Sequence, residues 1–138
     1  VIDAGIAIKW VIEEDDTSLA LAVRRRSRLI APELLVAECA NILWKKVQRR
    51  EIPKEYASLA AKLLQSADIA FLPTRHLLEA AVQIAIELEH PAYDCLYLAL
   101  AIENDCRLVT ADRRLLHKLD RVEAHRQRAI SLSEVATP

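Results

Sequence analysis

Residues 91–102 read "PAYDCLYLALAI", and the fold turns on how this stretch is read. Beyond its proline, eleven residues carry one charge, on Asp94. Apolar side chains occupy almost every helical position instead of a single stripe, which predicts a helix enclosed on all sides at the centre of the molecule. On either side of it, short strands alternate with helices. Downstream, "RLVTA" (107–111) and "RAISLS" (128–133) predict strands separated by the helix "DRRLLHKL" (112–119). Upstream, "VID" (1–3), "LIA" (29–31) and "DIAFLP" (68–73) predict strands. Helices are expected over 4–16, 17–28, 32–50, 53–67 and 75–90, with Pro32 and Pro53 in first turns, where proline is tolerated. This alternation predicts an α/β fold: a short parallel sheet covered on both faces, in three α/β/α layers. No linker or repeat interrupts it, so residues 1–138 are expected to form a single domain.

Composition narrows the function. Hydrophobic residues make up 53% of the 138, enough for one well-packed core. Only one glycine occurs, Gly5, which excludes the Gly-rich dinucleotide fingerprint and the phosphate-binding P-loop. The net charge of −1 gives no overall attraction toward nucleic acid, so any such binding must come from local patches. Cys39, Cys95 and Cys106 are an odd set without metal-type spacing, and each lies in or beside an apolar run. With no membrane-length apolar stretch and no signal-peptide pattern, a reduced cytoplasmic protein with no membrane association is expected. The first residue is Val1, so an initiator methionine is expected to have been trimmed or to lie outside the sequence.

Against this background four acids stand in apolar settings. Asp3 ends the first strand, Glu38 lies within "LLVAECANIL" (34–43), Asp94 heads the central helix, and Asp112 follows "RLVTA". Each has an ordinary explanation. Asp3 and Asp112 suit helix caps, Asp94 suits a helical first turn, and Glu38 suits a buried ion pair with Lys or Arg. Taken together these explanations weaken, because a parallel sheet gathers its site beyond the carboxyl ends of its strands. Asn41 and Lys45 share the helix face of Glu38. Four carboxylates in one pocket repel one another, and a hard divalent cation such as Mg²⁺ or Mn²⁺ relieves that repulsion.

The fragments "VIDAGIAIKW", "PELLVAECANILWKKVQR", "AYDCLYLALA" and "LVTADRRLL", in this order and spacing, resemble the PIN-domain nucleases. More narrowly, they resemble the toxin half of VapBC-type toxin–antitoxin pairs, over nearly the whole chain. The resemblance implies a PIN-like domain in which Asp3, Glu38, Asp94 and Asp112 bind Mg²⁺ or Mn²⁺ and cut RNA. It also implies supporting roles for Asn41 and Thr110, a homodimer, and a small antitoxin protein that covers the acidic pocket. The chain departs from its relatives at Gly5, where many carry a Ser or Thr hydroxyl. A divalent ion at such a site activates water for in-line attack on phosphorus, which leaves a 5′-phosphate and a 3′-hydroxyl. Glu38 is expected to act as a ligand or as the base.

Two basic stretches could grip the RNA backbone. Lys45, Lys46, Arg49 and Arg50 extend the Glu38 helix and are the stronger set, whereas "RRRSR" (24–28) reads as a solvated helix end. Trp10 and Trp44 read as core or interface residues, and His90, four residues before Asp94, as a loop histidine without a role ahead of an aid to proton transfer. Three rival functions stand beside this one. A receiver-type phosphoacceptor needs paired acids after the first strand and an aspartate in "AFLPT", and both are missing. An Asp-x-Asp phosphatase fails because position 5 is glycine. A PIN fold that binds RNA or protein without cutting is the remaining alternative.

Overall fold

The structure is a computed structural model, in which residues 1–136 are described. Its elements run α1 (Ala4–Ile8), α2 (Thr17–Arg26), β1 (Ile30–Pro32), α3 (Leu34–Gln48), α4 (Lys54–Gln65) and β2 (Ala70–Leu72). They continue with α5 (Leu78–Leu88), α6 (Ala92–Glu103), β3 (Leu108–Thr110), α7 (Arg113–Leu119), β4 (Ala129–Ser131) and α8 (Leu132–Ala136). Strand β1 pairs in parallel with β2, and β3 pairs in parallel with β4. Residues 1–2 join the two pairs: the Ile2 amide donates to the Ile30 carbonyl at 3.2 Å, and the Val109 amide donates to the Val1 carbonyl at 2.8 Å. The order across the molecule is therefore β2, β1, residues 1–2, β3, β4, and the helices complete three α/β/α layers.

The order of the parallel strands reverses across residues 1–2, and it is beyond the strands' carboxyl ends at such a switch point that α/β folds place their sites. Asp3 follows directly, Asp112 lies just past β3, and α3 leaves β1 carrying Glu38. Helix α6 packs against α5 and fills the centre, with Cys95, Tyr97, Leu98, Ala99, Leu100 and Ala101 all buried. Its enclosure over residues 95–101 explains the lack of a polar stripe there, while Tyr93 in its first turn is exposed.

Three local expectations are corrected. The helix expected over 4–16 stops at Ile8, and the chain then turns, with i−3 hydrogen bonds from the Trp10 and Val11 amides. Four successive acids, Glu13 to Asp16, would meet the negative end of a longer helix dipole, and that end repels them. Pro32 closes β1 instead of opening α3, at a strand end where its missing N–H removes nothing essential. Helix α8 was not anticipated. Its signal was present in residues 131–134, where Ser131 and Glu134 form a capping box: the Ser131 amide donates to Glu134 Oε2 at 3.0 Å, and the Glu134 amide to Ser131 Oγ at 3.3 Å.

Candidate metal centre

Asp3 and Asp112 do cap helices, but each does so with one oxygen. Asp3 Oδ1 accepts from the Ile6 amide at 2.9 Å at the start of α1. Asp112 Oδ1 accepts from the Arg114 and Leu115 amides at 2.8 and 3.1 Å at the start of α7. The other oxygen of Asp112, Oδ2, points toward the ring of His90. Capping and ligand binding are thus compatible on the same carboxylate.

Glu38 is not in an ion pair with Lys or Arg. The buried Tyr97 of α6 donates its hydroxyl to Glu38 Oε2 at 3.0 Å, which leaves Oε1 for other work. Burial pushes the Glu38 carboxyl above its usual range; the Tyr97 hydrogen bond opposes this, and the charge of Asp94 adds to it. Asp3 responds more strongly, from an ordinary 3.8 up to about 6. Burial is the main cause there. Hydrogen bonds from Thr110 and Ile6 work against it, while the charges of Asp94 and Glu38 push the same way. Asp3, Glu38 and Asp94 therefore lie close enough to sense one another's charge. Among the described residues, no Lys or Arg forms an ion pair with any of the four acids. Such a set of oxygens, crowded and without a cation of its own, fits a hard divalent ion.

Thr110 is fully buried at the end of β3. Its Oγ1 accepts from the Asp112 amide at 3.0 Å, and its hydroxyl is near enough to Asp3 to hold that carboxyl down, so it stands between two of the acids. Gly5 lies beside the same Asp3 carboxylate and offers no hydroxyl. A side chain at position 5 would be crowded in any case, since a Cβ there would lie 3.3 Å from Asp3 Oδ1. Asn41 is exposed, one turn beyond Glu38.

His90, read from the sequence as a loop histidine more readily than as an aid to proton transfer, lies against the acids. It is buried, and its Nε2 lies 2.6 Å from Asp94 Oδ2 and 3.9 Å from Asp112 Oδ2. The four-residue spacing from Asp94 was the available signal. The cysteines beside the acids are buried thiols, with Cys39 pushed up to about 12 and Cys95 to about 11, chiefly by burial. Both are inert neighbours of the site.

The basic cluster divides. A groove of about 290 Å³ is lined by Gly5, Ile8, Ile42, Lys45, Lys46 and Arg49 together with the acids Glu14 and Glu51, and by none of the four candidate ligands. Lys46 is already engaged, 2.6 Å from Glu14 and 3.3 Å from Glu51. Lys45 and Arg49 are in no ion pair among the described residues, and Arg50 lies outside the groove lining. In the other basic stretch, Arg24 lies 5.1 Å from the centroid of the Trp10 ring, and Trp10 is a core residue whose Nε1 donates to the Ala20 carbonyl. Trp44 is exposed.

The PIN domain family matches this chain over residues 1–122. Ribonuclease VapC9 of Mycobacterium tuberculosis is 30% identical over 115 residues, 83% of this chain and 87% of that protein. Ribonuclease VapC3 of Pyrobaculum aerophilum is 31% identical over 121 residues, 86% of this chain and 92% of that protein. The crystal structure of PAE2754 from Pyrobaculum aerophilum has a TM-score of 0.71 and 23% identity, covering 98% of this chain and 84% of that one. The last comparison speaks to fold alone. Matched along most of its length in both sequence and architecture, the chain belongs to the PIN domain family and has VapC ribonucleases among its relatives.

Proposed function

We propose that this chain, one domain over residues 1–138, is a Mg²⁺- or Mn²⁺-dependent endoribonuclease acting in the cytoplasm as the toxin of a toxin–antitoxin pair. The observation that carries the reading is the convergence of Asp3, Glu38, Asp94 and Asp112 with no Lys or Arg paired to them. VapC ribonucleases among the relatives support RNA as the substrate.

Asp3, Asp94 and Asp112 hold the cation, which when bound supplies Lewis-acid stabilisation and an activated water. Thr110 fixes Asp3 relative to Asp112. Glu38 Oε1 either joins the ligands or takes the proton of the attacking water, while the Tyr97 hydroxyl holds the other oxygen still. Lys45 and Arg49 bind the phosphates of the incoming strand along the groove beside Gly5.

The partners follow the same reading. An apolar groove of about 440 Å³, lined by Leu35, Val36, Leu43, Leu64 and Phe71, supports docking of an apolar antitoxin segment. The exposed row Leu78, Val82 and Ile86 on α5 supports a homodimer. Among the described residues no helix is long and apolar enough to cross a membrane.

The test is incubation with end-labelled RNA and Mn²⁺, with and without chelator, followed by mapping of the new ends. Chelator-sensitive internal cuts with 5′-phosphates are expected. Intact RNA at saturating Mn²⁺ would instead favour a fold that binds without cutting.

A further inference from the structure

His90 lies in the turn between α5 and α6. Helix α5 ends with Glu89 in the left-handed region, at φ 49 and ψ 47, and the His90 amide reaches back to the Ala85 carbonyl at 3.1 Å. This is a helix-ending turn of the kind glycine usually makes, and here it is built on a glutamate. The Lys118 ammonium donates to the Glu89 carbonyl and braces the turn from α7. Pro91 then fixes the start of α6. The backbone thus sets the ring's position, and only 4% of the side chain is exposed.

The two ring nitrogens differ. Nε2 lies 2.6 Å from Asp94 Oδ2, whereas Nδ1 is buried with no hydrogen-bond partner among the described residues. Nε2, Asp94 and Asp112 offer donor atoms within 4.8 Å of one another, so the ring could in principle be a metal ligand itself. Hydrogen bonding argues against that. A ligating Nε2 would put the neutral ring's one proton on Nδ1, and metal-bound histidines almost always donate that proton to an acceptor. Nδ1 has none. With the proton on Nε2, the ring donates to Asp94, and Nδ1 is left as a bare acceptor.

We propose that His90 is a positioning residue for the metal centre: its Nε2–H holds Asp94 Oδ2, so that Asp94 presents Oδ1 to the cation. The proposal rests on the metal-dependent reading above and adds a residue outside the four acids. The hydrogen bond also draws negative charge away from a carboxylate that Asp3 and Glu38 both sense. Removing such a support weakens metal binding by about 10–100-fold, and does so for every ion that uses the ligand.

The experiment measures Mg²⁺ and Mn²⁺ dissociation constants by calorimetry for the wild type, His90→Leu and His90→Gln. His90→Leu is expected to weaken both ions by a similar factor of about 10–100, and His90→Gln, which keeps an N–H donor, is expected to recover most of the loss. Unchanged affinity in His90→Leu overturns the proposal, as does loss confined to Mn²⁺, the mark of a nitrogen ligand. Should His90→Leu not fold, long-range ¹H–¹⁵N spectra of the Mg²⁺-loaded wild type decide the matter. A proton on Nε2 supports the proposal, and a proton on Nδ1 overturns it. A wild type that binds neither ion fails the metal-dependent reading itself, whereas wild-type binding with an indifferent His90→Leu fails this inference alone.

Discussion

Tyr97 and Glu38 stand 59 positions apart in the chain, and the Tyr97 hydroxyl meets Glu38 Oε2 at 3.0 Å. This bond links α3 to the central helix and settles the orientation of an acid that has no capping role. Tyr97→Phe removes the donor and leaves a half-buried carboxylate unpartnered. Urea denaturation is expected to show a loss of about 0.5–1.5 kcal/mol, the net worth of one such bond. The Glu38 carboxyl should also rise further, since the hydroxyl holds it down. Unaltered stability together with unaltered metal affinity would mean the bond orients nothing.

Asp94→Asn keeps the shape of the side chain and removes its charge. RNA cleavage is expected to fall at least ~100-fold, the scale found when a group stabilising transition-state charge is lost. Far-ultraviolet circular dichroism should match the wild type, since Asp94 caps no helix through its side chain. Activity within a few-fold of wild type would remove this aspartate from the site.

The raised Asp3 carboxyl makes the metal-free protein's stability depend on pH. Folded Asp3, at about 6, binds its proton more tightly than the ordinary 3.8, so acidification favours the folded state. That contribution is complete below pH ~4 and is lost as pH rises through about 6. Glu14 and Glu134 are shifted downward, so their contributions run the other way, in the more acidic part of the range. Denaturation in chelator at pH 4.5 and 7.5 should therefore show a component favouring the lower pH. That component should shrink in Asp3→Asn, whose side chain can still cap α1, to what the raised Glu38 carboxyl contributes in the same direction. A pH dependence identical in the two proteins would show that Asp3 is not held as described.

Divalent ions should replace the relief that protonation gives. At pH 7.5, Mn²⁺ at a hundredfold excess over its Kd is expected to add ~2.7 kcal/mol of stability and raise Tm. Scanning calorimetry with Mn²⁺ and then excess chelator measures it. No shift at saturating ion would leave the carboxylates without a cation to share.

The two kinds of basic residue should separate under salt. Lys45→Ala combined with Arg49→Ala is expected to weaken single-stranded RNA binding and reduce the salt slope by ~0.7 per lost phosphate contact. Lys46→Ala should change the slope less, because its ammonium already serves Glu14 and Glu51. Loss of these two partly exposed ion pairs should cost about 1 kcal/mol of stability. A larger effect from Lys46 than from the other two would move the RNA path across the groove.

Much of this molecule follows from local pattern. Burial of the helix body is written into residues 95–101, and alternation of short apolar runs with helices dictates a parallel sheet. Asp3, Asp94 and Asp112 stand at strand ends or helix starts because the sequence puts them there. Burial and element type depend on neighbours a few positions away, so they can be read in one dimension. The tertiary structure alone decided the partners. It gave Glu38 a tyrosine where a Lys or Arg was the ordinary expectation. It turned His90 inward onto Asp94, engaged Lys46 with Glu14, and used one oxygen of Asp112 as a cap while directing the other toward His90. Each of those choices rests on one contact worth about a kilocalorie per mole between or within packed elements, and no spacing in the chain encodes which contact forms.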